Sequence, residues 1–493
     1  MSLEELRKTK LDKLNLLKKA GVNPYPSKSW RTHKIKQALD DFDALAEEKR
    51  RLVLVGRVMA MRSHGASTFL DLEDGSGRIQ SYLKKDVVSE YEYDLFVNSV
   101  EVGDFIEVSG FLFKTKKEEK TLEVEKYRVL SKALLPLPEK WHGLQDVEER
   151  FRKKYLDLIF NPEVKEKALL RSKIIQEIRN FLLQHEFVEV ETPMLQNMAG
   201  GANAAPFKTH LNALDLDLYL RIAPELYLKR LLVGGFERIF EMNRNFRNEG
   251  MDREHNPEFT MLEFYAAYQD YQWMMSFTEE LFRTLVAALF GEPVLEHASG
   301  KISFKEPFPR IEFNELLKKY SGLDYDEVDE EDLKKKAQEL GITIEKKMSK
   351  GVIADEIYKK VARPNLINPI FVINHPLDIS PLAKKLEKGS ESSTVDSNHV
   401  ARFQLLVGAM EVANGFSELN DPQDQRERFE MQEKNRERGD EDAQRLDEDF
   451  IESLEYGMPP AAGIGIGIDR LSVLLTNSHS IREVILFPLM KPK

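Results

Sequence analysis

Residues 246–264 read FRNEGMDREHNPEFTMLEF, and what flanks this charged run decides how the chain is read. Upstream, Phe240, Met242 and Phe246 share one parity, and Glu241, Asn243, Asn245 and Arg247 share the other, the pattern of a strand with one apolar and one polar face. Downstream, Phe259, Met261, Glu263 and Tyr265 fall on one parity, with Leu262, Phe264 and Ala266 on the other. Two such strands predict a hairpin, with 248–257 as a loop longer than the roughly 2–5 residues of a tight turn. Long charged loops on rigid hairpins tend to be functional.

Working outward, 51–134 holds short strand patterns (RLVLVGRVMAMR, TFLDLEDGSGRIQSYL, DFIEVSGFLF, TLEVEKYRVLSKAL) around a helix-like VVSEYEYDLFVNSV. That pattern suits a small five-stranded barrel, of the oligonucleotide-binding type or an anonymous one. The proline-bearing LLPLPEKWHG at 134–143 reads as a linker. Apolar periodicity predicts a helix over about 165–184, feeding a strand in FVEVETP that Pro193 stops. From about 270 to 370 the pattern turns helical and charged and is read as an insertion. Beyond 400 come the strand-like LLVGAMEVANGFSEL, a charged helix over 422–455, and a glycine-rich turn into a last helix.

A chain of 493 residues with no cysteine excludes disulfides, thiolate nucleophiles and cysteine-ligated metals. No apolar run approaches the roughly 18 residues of a membrane span. MSLEELRKTK is too charged for a signal peptide, so the expected compartment is the cytoplasm, with no membrane partner. The formal net charge of −12 argues against indiscriminate nucleic-acid binding. Residues 1–20 nevertheless carry six Lys/Arg against three acids; this helix, which Gly21 should end, is either a solvated surface or a phosphate contact.

Three segments, FVEVETPML (187–195), FRNEGMDREHNPEF (246–259) and GIGIGIDRL (463–471), resemble in order and spacing motifs one, two and three of the class II aminoacyl-tRNA synthetases. GGANAAPF, RIAPELYLKR, HNPEFTMLEFY and ANGFSELNDP resemble the lysine enzymes of that class. The resemblance implies an α+β chain: a helical extension (1–50), an OB-type barrel binding the anticodon (51–134), a linker (135–164) and a catalytic domain (165–493). That domain would be an antiparallel sheet flanked by helices, with the insertion at about 270–370. It also implies an ATP-dependent ligase using Mg²⁺, which makes lysyl-adenylate and pyrophosphate and then esterifies the terminal 3′-hydroxyl of tRNA(Lys). A homodimer built around the motif-one helix and the strand near Pro193 is implied as well.

The chemistry explains the residue types. A carboxylate attacking the α-phosphate of ATP needs cations that stabilise crowded anions, and the planar fork of Arg247 suits both groups. By resemblance, Glu249 lies near adenine and the tRNA end, His255 near the outer phosphates, Phe259 stacks on adenine, and Asn256, Glu411 and Arg470 complete the ATP site. GIGIGIDR is no dinucleotide fingerprint, because G-x-G-x-x-G from Gly463 would need glycine at Ile468. A lysine side chain can be desolvated only against carboxylate or hydroxyl partners. Glu418 and Tyr265 match the ε-ammonium contacts, with Glu263 nearby; Gly201 and Glu225 match the α-amino contacts and Asn414 the carboxylate contact. Glu411 and Glu418 are seven apart, so a straight strand would point them oppositely, and a bulge is expected at Asn414-Gly415. In the barrel, Arg62, Phe69 and Gln80 match anticodon-contacting positions, though Phe69 alone would read equally as core.

The sequence departs from the family at Gln404, where a glutamate usually joins Glu411 in holding magnesium, and at Ala205, where arginine is frequent. A non-catalytic tRNA-binding protein on the same fold is the alternative. Retention of Arg247, Glu249, His255, Phe259, Glu411, Glu418 and Arg470 together favours the enzyme.

Overall fold

A computed structural model of the protein describes residues 2–138, 146–345, 348–386, 398–437 and 444–492. The chain forms two compact units, Met1–Gln145 and Asp146–Lys493.

In the first unit, β1 (Leu52–His64), β2 (Ser67–Glu73), β3 (Arg78–Lys84), β4 (Phe105–Lys114) and β5 (Lys120–Ser131) close a barrel in the order β1-β2-β3-β5-β4. Period-two alternation sends Leu70, Leu72, Ile79 and Leu83 inward and leaves Phe69, Asp71, Gln80 and Tyr82 on the outer wall. Helix Glu90–Ser99 adds Tyr93 and Phe96 to this core. Helix Leu3–Lys19 starts at a Ser2–Glu5 capping box, and the chain leaves it through Gly21 at φ +76°. Of the two readings of its basic residues, neither is complete. Lys10 and Lys13 lie 3.3 and 2.8 Å from Glu101, whose pKa burial would raise but which Lys13 and Lys132 hold down at about 2.

The second unit is built on an eight-stranded sheet. Its strands are β6 (Val188–Glu189), β10 (Arg238–Phe246), β11 (Glu258–Ala267), β14 (Arg310–Glu312), β15 (Ile370–Ile373), β16 (Arg402–Val407), β17 (Met410–Ser417) and β18 (Ala461–Gly467). They are ordered β14-β15-β16-β17-β18-β11-β10-β6, antiparallel except for the outermost pair at each edge. A three-stranded sheet of β7 (Leu195–Gln196), β8 (Lys208–Leu211) and β9 (Leu216–Leu220) and a hairpin of β12 (Val294–His297) and β13 (Gly300–Ser303) lie beside it in sequence. One face of the large sheet packs Phe240, Leu262, Phe264, Ile464 and Ile466 against Ile174, Ile178 and Phe181 of helix Pro162–Gln184 and against helix Tyr271–Phe290. The other face is open at its centre and holds the site.

Three readings need adjustment. The polar face of β10 is not solvated: Glu241 and Asn245 are buried, and Glu241 pairs with the equally buried Arg221 at 2.6 Å while accepting from Thr192 Oγ1. The stretch 270–370 is not one inserted body, since helix Tyr271–Phe290 belongs to the main core and β14 extends the sheet. Only helices Phe313–Ser321, Glu330–Glu339 and Lys350–Val361 gather around a cluster of their own, with Phe313, Leu333 and Ile357. The expected linker is helical over Val147–Arg152 and Lys154–Phe160, and its residues 139–145 lie outside the described ones; so do 438–443 of the charged helix, which is otherwise Pro422–Glu437 and Glu448–Glu455.

Candidate active site

The expected β10–β11 hairpin forms, with Phe240 opposite Phe264 and Asn245 opposite Phe259. Leu262, Phe264 and Ala266 point into the core, so Phe259, Met261, Glu263 and Tyr265 face a cavity of about 350 Å³, within the roughly 300–1,000 Å³ of small-molecule clefts. Strand β18 runs alongside with Gly467, Gly465 and Gly463 opposite Met261, Glu263 and Tyr265. The alternation in GIGIGI follows from this. Ile464 and Ile466 fill the core, while the glycines clear the cavity floor: a Cβ on Gly463 would collide with the Glu418 carboxylate and the Tyr265 ring, and one on Gly465 would press on Met261.

The bulge expected at Asn414-Gly415 lies two residues earlier. Leu405 faces Ala413 and Leu406 faces Glu411, so Val412 is the extra residue. Its parity change lets Glu411 and Asn414 line the same cavity, with Glu418 continuing the Asn414 side. A bulge here is an effect of pairing with β16 and leaves no mark in the Asn-Gly dipeptide that suggested the other position.

Gly201, Glu225, Arg247, Glu249, His255, Asn256, Phe259, Glu263, Tyr265, Glu411, Asn414 and Arg470 all line this cavity. Gln404 and Glu418 sit just behind the lining, both buried. At one end, Arg247 closes the base of the loop, its N–H donating to the Pro257 carbonyl and its Nε to that of Ile222, with the guanidinium 5.1 Å from the Phe259 ring. Across the cavity, Arg470 donates to His255 Nε2 at 2.9 Å, which leaves the proton on Nδ1, facing Asp252 at 2.9 Å. Asp469 fixes the helix that carries Arg470, accepting from the Thr260 N–H at 2.8 Å and from Arg171. Arg402 donates to Asn414 Oδ1 at 2.8 Å; because guanidinium has no acceptor, the Asn414 amide must turn its NH₂ toward the cavity. Gln404 Nε2 donates to Glu411 at 3.1 Å.

At the other end three carboxylates meet. Glu263 accepts from the Tyr265 hydroxyl at 3.0 Å, and Glu225 and Glu418 both approach the Lys229 ammonium, at 2.8 and 2.6 Å. Burial, with Glu225 beside it, pushes Glu263 up to about 8; burial likewise pushes Glu418 up to about 8 against the pull of Lys229, and raises Glu225. Burial would lower Lys229, but the two carboxylates hold it above its ordinary range. Sequence reasoning passed over Lys229 and Arg402. The i,i+4 spacing of Glu225 and Lys229 in ELYLK was a usable signal for the first.

In the barrel unit, Arg62 pairs across β1–β2 with Phe69, whose ring stacks on Tyr82 at 4.3 Å, and Gln80 accepts from the Thr121 hydroxyl. Phe69 is therefore outer wall, not core, and Tyr82 extends an aromatic surface beside Arg62 that suits base stacking. Glu125 of β5 is paired with Arg51 at 2.5 Å.

Residues 146–491 match the family model described as tRNA synthetases class II (D, K and N), and residues 52–130 match that of the OB-fold nucleic acid binding domain. The whole chain is 50% identical to a lysine–tRNA ligase of Pelotomaculum thermopropionicum, covering 96% of it, and 49% identical to one of Carboxydothermus hydrogenoformans, covering 99%. Over 90% of its length it is 51% identical to a lysine–tRNA ligase of Aquifex aeolicus, covering 74% of that protein.

Proposed function

The chain belongs to the class II tRNA synthetases of the aspartate, lysine and asparagine group, and from that premise we infer that it activates L-lysine with ATP and ligates it to tRNA(Lys). The observation that carries the choice of lysine is the acidic end of the cavity, where Glu225 and Glu418 meet one internal ammonium and Glu263 lies beside Glu225. An aspartate side chain would meet three acids there, and an asparagine amide would leave their charge unanswered.

In this reading lysine lies with its ammonium groups toward those acids and its carboxylate toward the Asn414 amide and Arg247. The carboxylate oxygen bonds to the α-phosphorus as the bond to the bridging oxygen breaks, and pyrophosphate leaves. Arg247, charged and half-buried, stabilises the negative charge gathering on phosphorus. His255 and Arg470 exchange their mutual hydrogen bond for the outer phosphates, and Phe259 supports adenine. The terminal 3′-hydroxyl of the tRNA then attacks the carbonyl carbon, losing its proton as AMP departs; Glu249 and Gly250 at the exposed loop edge lie where that end would enter. The barrel's Arg62, Phe69 and Gln80 would read the anticodon.

Among the described residues no three acids or histidines converge as a metal cage. Glu411 with Gln404 beside it offers one anionic and one neutral oxygen, a donor set that suits Mg²⁺ arriving on phosphates and water. When bound, the ion would offset phosphate charge as pyrophosphate departs. Gln404→Glu is expected to lower the Mg²⁺ concentration for half-maximal exchange severalfold; an unchanged magnesium curve would sink this role.

The homodimer is supported by apolar side chains left open along the motif-one helix and strand, Leu169, Leu183, Val188 and Leu195. Sedimentation as a monomer at micromolar concentration would refute it. No described helix is long and apolar enough to cross a membrane; the cytoplasm, where tRNA, ATP and lysine meet, is the proposed compartment, and fractionation with membranes would contradict it.

ATP–pyrophosphate exchange across all twenty amino acids tests the whole reading: lysine alone should support it, and exchange with aspartate or with none would overturn it. A pH dependence follows. Near pH 7 the unliganded site keeps protons on Glu263 and Glu418, whose pKa values near 8 lie above the ordinary 4.5. The unfolded chain sheds those protons sooner, so unliganded stability should fall as pH rises from about 4.5 to 8 and then level off. Substrate ammonium favours the ionised acids, so binding should expel protons. The lysine KM is expected to fall roughly tenfold between pH 6.5 and 8, as one carboxyl proton need no longer be displaced. Calorimetry in buffers of different ionisation enthalpy should show proton release at pH 7, and none would contradict the assignment.

A further inference from the structure

Lys229 is a fully buried lysine on helix Glu225–Val233, one turn from Glu225. Its ammonium touches Glu225 and Glu418 at once, and the rings of Phe416 and Phe450 lie 5.5 and 5.9 Å away. Among the described residues no other cation forms an ion pair with these two acids, whereas Glu263 is answered by Arg247 and Arg221. Arg402 on β16 donates to Asn414, Ser380 and the Ile379 carbonyl, with Glu411 as its chief opposing charge, and Arg247 answers Glu249 first and Glu263 second. The charged groups facing Lys229 are thus Glu225 from its own helix and Glu418 from the end of β17; Arg402 acts on Glu225, and Glu263 and Tyr265 of β11 act on both acids in turn.

We propose that Lys229 is a positioning residue for lysine selection: its ammonium bridges Glu225 and Glu418, fixes their orientation and favours their ionised forms, so that an incoming ammonium can displace their protons. Resting on the ligase reading above, this deepens it from which acids bind lysine to what orients them and eases their ionisation. Lys229 meets Glu418 at Oε2, and Oε1 has no hydrogen-bond partner among the described residues, which leaves acceptor capacity for a second ammonium. Without the internal cation, Glu225 and Glu418 would hold their protons more tightly still, and the incoming amine would have to displace them at a larger cost.

Two ideas about Lys229 predict opposite signs. Coulomb attraction alone makes the site of Lys229→Met more acidic and its grip on lysine tighter. Positioning makes it looser, because acids without their partner protonate and lose their orientation. The test is steady-state exchange by the full-length protein, its Lys229→Met variant and Lys229→Gln, which keeps donors without charge, at pH 7 and pH 9. Lys229→Met should raise the lysine KM roughly 10- to 100-fold at pH 7, as removing one member of a buried charge pair does. The deficit should shrink markedly at pH 9, and the ATP KM should stay within about threefold, since Lys229 is remote from the Arg247 end. Lys229→Gln should fall between the two and carries the same readout if the methionine variant does not fold.

An unchanged or lowered lysine KM overturns the proposal, as does a rise matched by ATP that does not recover at pH 9, which is the mark of a merely structural residue. Absence of lysine-dependent exchange in the parent protein overturns the ligase reading and this inference with it. Normal exchange in the parent beside an indifferent Lys229→Met overturns the inference alone.

Discussion

Arg247→Ala should lower lysine-dependent ATP–pyrophosphate exchange by about a thousandfold, the cost of losing a preorganised donor to charge that develops in flight. Arg247 is held from three sides: its N–H on the Pro257 carbonyl, its Nε on Ile222, and its guanidinium near Phe259. Arg247 lines the cavity. The loss should appear in kcat more than in the lysine KM, because the charge it answers is largest when phosphorus is crowded. Arg247→Lys should recover little, since a point charge cannot hold the Ile222 carbonyl and bridge two anions at once. Exchange by Arg247→Ala within tenfold of the parent would remove Arg247 from the chemistry.

Gly463→Ala should be nearly as damaging, and for a steric reason. Gly463 is in the central strand of the floor, opposite Tyr265 on one side and Phe416 on the other. A methyl group there would occupy the space of the Glu418 carboxylate and the Tyr265 ring, and the strand cannot retreat because Ile464 and Ile466 are packed in the core behind it. Overpacking of this kind costs about 1–3 kcal/mol of stability. Its larger effect should be on lysine: displacing the acid that meets the substrate ammonium should raise the lysine KM about a hundredfold, as loss of a buried charge partner does. Ile464→Val gives the contrast, about 1 kcal/mol less stable with the lysine KM unchanged. If Gly463→Ala binds lysine like the parent, Glu418 is not where lysine is read.

What sequence could disclose follows what is local. The parity of 240–246 and 259–266 states which side chains share a face, and the hairpin, its loop and the pocket-facing Glu263 and Tyr265 follow from two-residue periodicity. Helix Pro162–Gln184 announces itself by apolar spacing, and the barrel by its short strands. Other features arise only when distant segments meet. The burial of Glu241 depends on Arg221, twenty residues away, and helix Tyr271–Phe290 reads as part of an insertion until its apolar face is seen against the sheet. Lys229 was visible as a residue but not as a partner of Glu418, which lies far along the chain on another element. Phe69 was ambiguous because one aromatic in a barrel strand suits either wall, and pairing with Tyr82 decides it.

The single extra residue at Val412 bears on how this protein can change over time. With Leu405 opposite Ala413 and Leu406 opposite Glu411, the strand serves the cavity from one parity before the bulge and from the other after it. Deleting one residue between Glu411 and Asn414 would turn either the acid or the amide, and everything on its side, into the apolar interior. Descent along this strand is therefore open to the exchange of one side chain for another and closed to any change of length.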